Sequence, residues 1–292
     1  MRVMIVGSKG QLGQALRLSV PADTVLVGAD LPRIAGDDYR SLLSYFDRYK
    51  PSHVINAAAY TDVELAETEP GKALRINSDL PRVLASICKS RGLRFIHISS
   101  DYVFNGMLPR PYQPDDVLTP LSVYGKTKAA GDISVLSVYP ANSVVLRTGW
   151  LYSNSGKNFV KTILNRLQTK QSLIVVADQI GSPTWTNSLA HCIWKFVDRT
   201  EIGVWNFTDA GTASWYDFAM AIAEESTNLG YLDSPYSIEP IRTEDFATNA
   251  KRPHYVILDK TATWRISGQP NHWRCNLRKV LMELNAAKVS QF

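Results

Sequence analysis

The fold is decided by residues 7–13, which read Gly7-Ser8-Lys9-Gly10-Gln11-Leu12-Gly13. This stretch follows a short apolar run and precedes an amphipathic one, so it joins a predicted strand to a predicted helix. In that context Gly7 permits a tight turn, Gly10 lets the backbone approach a pyrophosphate, and Gly13 lets the helix pack closely on the sheet. The helix N-terminus then offers free N–H groups to the phosphates. A glycine triplet alone is a weak signal, and a flexible turn is the alternative.

Outward from this turn, the first 150 residues alternate strand-like and helix-like stretches. Strands are predicted at 3–6, 24–27, 53–56, 94–98 and 143–146. Helices with an apolar face are predicted at 11–18, 39–49, 70–91 and 122–139. The alternation predicts an α/β fold with a Rossmann-like, doubly wound parallel sheet.

Beyond residue 151 the alternation loosens, which predicts a smaller C-terminal substrate-binding lobe. We expect a dinucleotide-binding domain over 1–150 and this lobe over 151–292, with segments near 170–200 and 240–260 returning to the first domain. Within the second lobe we place a strand at 204–207 and an amphipathic helix at 214–225 with Ser214 as its N-cap. A last helix is predicted at 274–287.

Composition excludes several classes of protein. The chain has 292 residues, 45% of them hydrophobic, and no run of about 18 apolar residues, so no membrane span is expected. The N-terminus does not resemble a secretory signal, which favours the cytoplasm. The three cysteines lack the spacing of a zinc site or a disulfide framework. The net charge of +5 is scattered along the chain, which disfavours nucleic acid and favours a small phosphorylated ligand.

The residues after the second and third predicted strands suit a dinucleotide. Asp30 ends the second strand at a distance suited to the adenosine ribose hydroxyls, which favours NADH, although a turn role is the alternative. Lys9 and Arg33 favour NADPH instead, because either cation could pair with a 2′-phosphate. The cofactor is therefore NADPH or NADH. Ala57, Ala58 and Ala59 leave room for a cofactor beside the backbone, or else allow tight packing.

A second group of residues suits proton transfer. Tyr124 and Lys128 stand four residues apart on a predicted helix, so they share one face, and an ammonium group near a phenol lowers the pKa of that phenol. An exposed helical pair is the alternative. Ser99, Ser100 and Asp101 follow a strand at the edge of the sheet where open α/β folds bind ligands, although capping and turn roles are equally ordinary.

Seven motifs in order and spacing cover nearly the whole chain. They are the glycine turn, Val54-Ile55-Asn56-Ala57-Ala58-Ala59-Tyr60-Thr61, Ser99-Ser100-Asp101-Tyr102-Val103-Phe104, Tyr124-Gly125-Lys126-Thr127-Lys128, Arg147-Thr148-Gly149-Trp150-Leu151-Tyr152, Asp178-Gln179-Ile180-Gly181-Ser182-Pro183-Thr184 and Lys251-Arg252-Pro253. On these motifs the chain resembles the extended short-chain dehydrogenase/reductases and, within them, the dTDP-4-dehydrorhamnose reductase family. The last three motifs are the most specific to that family.

The resemblance implies a reaction and a set of roles. Hydride would pass from the nicotinamide to the C4 ketone of a dTDP-linked 6-deoxy-4-keto hexose, giving dTDP-L-rhamnose. Tyr124 would donate the proton to the developing alkoxide, Lys128 would hold the ribose and tune Tyr124, and Ser100, where many relatives have Thr, would steady the carbonyl oxygen.

The resemblance also implies binding residues. Cofactor contacts are expected at Gly7, Lys9, Gly10, Gln11, Leu12, Gly13, Asp30, Asp37, Ala57, Ala58, Ala59, Tyr60, Tyr124 and Lys128. Contacts with the sugar nucleotide are expected at Ser100, Asp101, Tyr102, Val103, Trp150, Asn158, Gln179 and Arg252. Trp150 could equally be a core aromatic residue between the lobes, and Arg252 a solvated cation, although its planar fork suits a diphosphate.

Some relatives dimerise through a magnesium site built on helix carboxylates, and Ala15 stands where one of those carboxylates is expected. No structural metal is therefore predicted, and the protein is expected to be a monomer or a homodimer. Two alternatives remain open. One is a regulatory subunit that binds a dinucleotide without catalysis, against which the intact Ser100, Tyr124 and Lys128 argue. The other is a reductase of a different nucleotide-linked 4-keto sugar.

Overall fold

The computed structural model describes residues 1–30, 39–232 and 235–289. Its strands are β1 Arg2–Val6, β2 Val25–Ala29, β3 His53–Asn56, β4 Arg94–Ser100, β5 Ser143–Thr148, β6 Leu151–Tyr152, β7 Leu173–Val176, β8 Ile180–Gly181, β9 Thr184–Trp185, β10 Gly203–Asn206, β11 Ala213–Ser214 and β12 Ile238–Ile241. Its α-helices are α1 Gln11–Leu18, α2 Tyr39–Tyr49, α3 Val63–Thr68, α4 Pro70–Leu74, α5 Leu80–Arg91, α6 Val123–Val138, α7 Phe159–Gln168, α8 Thr186–Val197, α9 Trp215–Asn228, α10 Thr261–Ser267 and α11 Trp273–Val289.

The central sheet is parallel, with the strand order β10-β5-β4-β3-β1-β2. From β1 the chain builds outward first to β2 and then, on the other side, to β3. This reversal opens a crevice outside the carboxyl ends of β1 and β3, which is where doubly wound sheets bind ligands. The predicted α/β, doubly wound fold is confirmed.

Alternating apolar residues of β1 serve two cores, one on each face of the sheet. Val3 and Ile5 pack in the core beneath α1 and α8, whereas Met4 and Val6 pack in the core that includes residues of α2 and α5. All four are at most 1% exposed. Strands buried on both faces read as continuous apolar runs, which explains the pattern at residues 3–6.

The helix predicted at 70–91 forms as one continuous helical stretch, but a π-helical turn at Arg75–Asp79 interrupts its regular α-helical bonding between α4 and α5. Pro81 lacks the N–H that would bond to the carbonyl of Asn77 four residues earlier, so regular α-helical bonding fails there. The turn buries Asn77, whose side chain bonds to both backbone groups of Tyr60 and to Thr127 of α6. The irregular turn therefore ties the chain after β3 to α6.

Two predictions for the second half of the chain differ in outcome. The strand predicted at 204–207 forms at Gly203–Asn206, but its place in the second lobe is wrong, because β10 pairs with β5 at the edge of the central sheet. Ser214 is confirmed as the N-cap of α9. Its hydroxyl accepts from Asp217 N while Asp217 bonds back to Ser214 N, forming a capping box.

The C-terminal lobe has a core of its own, built mainly from α7, α9 and α11 with β7. Segment 186–197 returns as α8 beneath the central sheet, and Val256 and Leu258 pack with Val103 and Phe104 in a separate cluster. The division at residue 150 stays a prediction. Within the described ranges, no helix combines the length and apolar character needed to cross a membrane.

Candidate active site

A cleft of about 440 Å³ opens at the carboxyl ends of β1, β3 and β4. It is lined by Gly7, Lys9, Gly10, Gln11, Leu12, Asp30, Ala57, Ala58, Ala59, Thr61, Ile76, Ile98, Ser99, Tyr124, Lys128 and Leu151. The glycine turn and the Tyr124–Lys128 pair, more than 100 residues apart in the chain, therefore share one cleft. A larger cavity of about 600 Å³ on the C-terminal lobe contains none of the predicted site residues.

The three glycines of the turn differ in what surrounds them. Gly7 has a φ of +83°, and a Cβ there would lie 2.7 Å from Ala58 N, so the turn itself requires glycine. A Cβ at Gly13 would overlap the carbonyl of Gly7, because α1 packs tightly on the turn. Gly10 has a φ of −68°, and among the described residues a Cβ there would meet only Gly7 O, at 3.4 Å. Neither backbone angle nor packing therefore requires glycine at position 10, and its contact with a pyrophosphate stays a prediction.

Asp30 lies at the end of β2 with its carboxylate bound to the glycine turn. Its Oδ1 accepts from Lys9 N at 2.9 Å and its Oδ2 from Ser8 Oγ at 3.0 Å. Lys9 Nζ lies 3.9 Å from Asp30 Oδ2, on a side chain that is 82% exposed. The cation of Lys9, predicted to favour NADPH, and the anion of Asp30, predicted to favour NADH, thus lie side by side at the cleft.

Some predicted cofactor residues do not line the cleft. Gly13 acts through packing, and the hydroxyl of Tyr60 donates to Glu69 at 2.6 Å. Asp37 and Arg33 lie outside the described residues. Four lining residues were not predicted as cofactor contacts: Thr61 and Leu151, which lie within quoted motifs, and Ile76 and Ile98, whose apolar side chains give no sign of a binding role.

Tyr124 meets the predicted oxygen-binding residue at the base of the cleft. Its phenol lies close enough to the Ser100 hydroxyl for that group to act on its pKa, and its ring lies edge-on to that of Tyr102 with centroids 5.5 Å apart. Burial raises the pKa of Tyr124 to about 12, while the Ser100 hydrogen bond opposes the shift and Asp101 and Asp132 reinforce it. The expected lowering of this pKa by Lys128 is wrong for this structure, because burial dominates. The phenol is therefore protonated at neutral pH.

Lys128 is held deep beside β4. Its side chain is 1% exposed, and Nζ donates to Ile98 O at 2.6 Å. Burial lowers its pKa to about 8, while the charge of Asp132, one turn further along α6, raises it. Asp132 Oδ2 in turn pairs with Arg147 Nε at 2.9 Å, with both side chains buried. This carboxylate was not predicted from the sequence, although its spacing of four residues from Lys128 was a usable signal.

In the short turn after β4, some side chains lie at the predicted site and others are buried in the core. Asp101 is 4% exposed and accepts from Ser100 Oγ at 3.1 Å, so it stands beside the residue predicted to steady the carbonyl oxygen. Val103 is fully buried among Phe104, Tyr112 and Leu258. The predicted substrate contact at Val103 is wrong for its side chain, because that side chain serves the core.

Trp150 occupies the junction between the lobes with an unusual backbone. Its φ is +52°, and its ring stacks on Trp215 at a centroid distance of 3.5 Å and an angle of 3°. A side chain at Gly181 would collide with that ring. The contacts with Trp215 and Gly181 support the prediction that Trp150 is a packed aromatic residue between the lobes. A contact between Trp150 and the substrate stays a prediction.

Asn158 joins the C-terminal lobe to the glycine turn. Its Oδ1 caps α7 by accepting from Lys161 N, and its Nδ2 donates to Gln11 Oε1 at 2.9 Å and to Ser153 O. Gln11 Nε2 donates to Lys157 O at 3.1 Å. The amide of Asn158 is therefore used within the protein, which favours a structural role beside the cofactor site over a direct contact with the sugar.

Arg252 and Gln179 are both held by neighbouring side chains. Arg252 Nη2 pairs with Glu64 Oε1 at 2.5 Å, and the guanidinium opposes the rise that burial gives the pKa of the Tyr102 phenol. Gln179 Nε2 donates to Thr243 Oγ1 at 3.1 Å. The structure thus brings Arg252 to the Ser100–Tyr102–Tyr124 group. Arg252 is not a freely solvated cation.

The family model for the RmlD substrate binding domain matches residues 1–286. The chain belongs to this family. The RmlD family assignment agrees with the resemblance drawn from the motifs, and it covers both the glycine turn and the C-terminal lobe.

Relatives match this chain over nearly its full length. The chain is 37% identical to the spore coat polysaccharide biosynthesis protein SpsK of Bacillus subtilis, and the match covers 98% of this chain and 99% of that protein. It is 36% identical to a dTDP-4-dehydrorhamnose reductase of Aggregatibacter actinomycetemcomitans, covering 96% and 98%. Its fold matches that of dTDP-4-dehydrorhamnose reductase from Bacillus anthracis in complex with NADP, with a TM-score of 0.89, 31% identity, and coverage of 97% and 99%.

Proposed function

We propose that this protein reduces the C4 ketone of dTDP-4-dehydro-6-deoxy-L-mannose to give dTDP-L-rhamnose, with NADPH or NADH as the hydride donor. The observation that carries the proposal is the shared cleft, in which Tyr124 and Lys128 stand beside the glycine turn. Its support also comes from relatives named dTDP-4-dehydrorhamnose reductase, one of them solved with NADP.

The residues present fit a nicotinamide dinucleotide. The free space beside Gly10 and the N-terminus of α1 suit a pyrophosphate, because unpaired N–H groups and the helix dipole favour negative charge there. Ala57 and Ala58 line the same cleft without filling it. When bound, the cofactor supplies the hydride, and the protein supplies the proton and the orientation.

Tyr124 is the proton donor of the proposed reaction. A phenol with a pKa of about 12 is almost fully protonated at neutral pH, so a proton is ready for the alkoxide that forms as the ketone is reduced. Ser100 lies beside that phenol and is placed to bond to the same sugar oxygen. Lys128, with a pKa of about 8, carries a positive charge at pH 7 and stabilises negative charge in the cleft.

The substrate residues are proposed with distinct roles. Arg252, held by Glu64 and Tyr102, is placed to pair with a diphosphate at the mouth of the site. Trp150 offers an aromatic surface at the junction of the lobes. We further propose that the protein works in the cytoplasm, as a monomer or homodimer, without a nucleic acid partner.

The test is turnover by the purified protein. Oxidation of NADPH or NADH is expected only when a dTDP-4-keto-6-deoxy sugar is added, with dTDP-L-rhamnose as the product. Tyr124→Phe is expected to lose about 100-fold or more in kcat while still binding the cofactor. Cofactor binding without turnover by the unmodified protein would instead favour a regulatory subunit, and turnover of a different nucleotide sugar alone would favour the other reductase.

A further inference from the structure

Asp101 is a buried carboxyl group that has no cationic partner within the described part of the chain. It is 4% exposed, and a side chain at Gly149 would overlap its Oδ2, so the protein closes tightly around it. Within residues 1–30, 39–232 and 235–289, no Lys, Arg or His forms an ion pair with it. Burial raises the pKa of Asp101 to about 7, although hydrogen bonds from Ser100 and the local backbone oppose the shift. A sizeable fraction of Asp101 is therefore protonated at neutral pH.

Ser100 lies between this carboxyl group and the phenol of Tyr124. Its hydroxyl donates to Asp101 Oδ1 at 3.1 Å and accepts from Tyr102 N at 3.2 Å, and it lies close enough to the phenol to lower the pKa of Tyr124. A hydroxyl group has one proton and two lone pairs, so it can accept a proton from one neighbour while it gives its own to the other. Ser100 is thus placed to link the carboxyl group of Asp101 to the phenol of Tyr124.

We propose that Asp101 returns a proton to Tyr124 through the hydroxyl of Ser100. As Tyr124 Oη gives its proton to the alkoxide, the Ser100 O–H bond breaks and a new O–H bond forms on Tyr124. The Asp101 O–H bond then breaks to restore the Ser100 hydroxyl, which leaves Asp101 as a carboxylate. Solvent protonates the carboxylate again between turnovers. This inference rests on the proposed reduction, in which Tyr124 loses one proton per turnover.

The groups around Asp101 are compatible with this role. The phenols of Tyr102 and Tyr124 lie near enough to interact with its charge, and burial raises their pKa values, so neither phenol ionises near pH 7. The charge of Arg252 lowers the pKa of Tyr102, and the charge of Asp132 in α6 raises the pKa of Tyr124, but neither residue forms an ion pair with Asp101. The alternative role for Asp101, a direct contact with the sugar, makes a different kinetic prediction.

The decisive experiment compares pH profiles of kcat for the unmodified protein and Asp101→Asn, with the dTDP-4-keto-6-deoxy sugar and NADPH saturating. Because the protonated form of Asp101 is the active one, kcat of the unmodified protein is expected to fall as pH rises through about 7. Asp101→Asn is expected to lose about 100-fold in kcat at pH 6.5, to keep its affinity for NADPH, and to lose the decline near pH 7. A decline retained near pH 7, or a loss confined to the KM of the sugar, overturns the proposal.

Asp209→Asn is a matched control. Asp209 is equally buried, its pKa is also raised by burial, to about 6, and its carboxylate bonds to Trp185 N and Asn276 instead of the cleft residues. It is expected to keep the pH profile of the unmodified protein. Ser100→Ala provides a second test. If Ser100 and Asp101 act on one path, adding Asp101→Asn to Ser100→Ala should lower kcat little further. Fully additive losses overturn the path.

An infrared measurement keeps the proposal testable if Asp101→Asn folds poorly or if the reductase activity fails. The unmodified protein should show the band of a protonated carboxyl group that disappears as pH rises through about 7. In Ser100→Ala the midpoint should shift upward, since the Ser100 hydrogen bond opposes the raised pKa. Absence of turnover by the unmodified protein counts against the proposed function, whereas absence of this carboxyl titration counts against the role of Asp101.

Discussion

Arg147 Nε lies 2.9 Å from Asp132 Oδ2, and the two side chains are only 3% and 1% exposed. The pair joins β5 to α6 directly behind Lys128. Arg147 also donates to Pro114 O and lies over the ring of Phe104. A charged pair at this depth is maintained only while both members are present, because an isolated buried charge is costly.

Arg147→Met is therefore expected to lower the free energy of unfolding by about 3–5 kcal/mol, since it leaves the Asp132 carboxyl group buried without a partner. Urea unfolding followed by circular dichroism measures the change. The double substitution of Arg147→Met with Asp132→Leu should recover much of the loss. A double variant no more stable than Arg147→Met would contradict the ion-pair explanation.

Gly13→Ala and Gly10→Ala should separate folding from binding. Gly13→Ala is expected to cost about 1–3 kcal/mol of stability, because its Cβ would collide with the carbonyl of Gly7. Gly10→Ala should change stability by less than about 0.5 kcal/mol but weaken cofactor binding, because its Cβ would project into the cleft. Thermal unfolding and titration of NADPH fluorescence measure the two effects. Unchanged cofactor affinity in Gly10→Ala would remove the pyrophosphate from this position.

Lys9 and Asp30 should determine the preference between NADPH and NADH. Asp30→Ala removes an anion from the cleft and should favour NADPH over NADH by about tenfold, a difference of about 1.4 kcal/mol. Lys9→Ala removes the exposed cation and should shift the preference toward NADH by a similar factor. The ratio of kcat/KM for the two cofactors is the measurement, and Lys50→Ala, outside the cleft, is the control. Shifts of the same sign in both variants would exclude this explanation.

Asn158 should affect the cofactor without touching it. Asn158→Asp keeps a side-chain oxygen that can accept from Lys161 N and cap α7, but it loses the amide donor to Gln11 Oε1. We expect a several-fold rise in the Kd for NADPH with little change in stability. Asn158→Ala loses the cap as well and should cost a further ~1 kcal/mol of stability. In a Gln11→Ala background, Asn158→Asp should no longer alter the Kd, and a persistent effect would place its cause elsewhere.

Lys128 should set a second decline in activity at alkaline pH. The ammonium group is the active form, so the rate should fall as pH rises through its pKa of about 8. Arg cannot lose its proton in this range, so Lys128→Arg should be slower overall but lack this decline. Asp101→Asn should retain it. Measurement of kcat from pH 6 to 10 therefore distinguishes the two groups, and a decline near pH 8 in Lys128→Arg would exclude Lys128 as its source.

The sequence determined the local features that repeat with the geometry of the chain. The spacing of apolar residues and the glycine turn between them predicted β1 and α1, and the same spacing placed Ser100 at the carboxyl end of a strand. The motif at Tyr124 predicted the pair of side chains that lines the cleft. Ser214 was recognisable as an N-cap because capping depends on residues within one turn. Gly7 and Gly13 were assigned correctly because backbone sterics act over a few residues.

Only the tertiary structure decided what depends on distant partners. A strand signal at 203–206 cannot say which strand it pairs with, so β10 proved to belong to the central sheet. Val103 and Arg252 received their partners from elements that the sequence does not place. The pKa of Tyr124 is raised because folding removes water from the phenol, an effect set by everything packed around it. Burial and pairing arise from the whole fold, and no local pattern contains them.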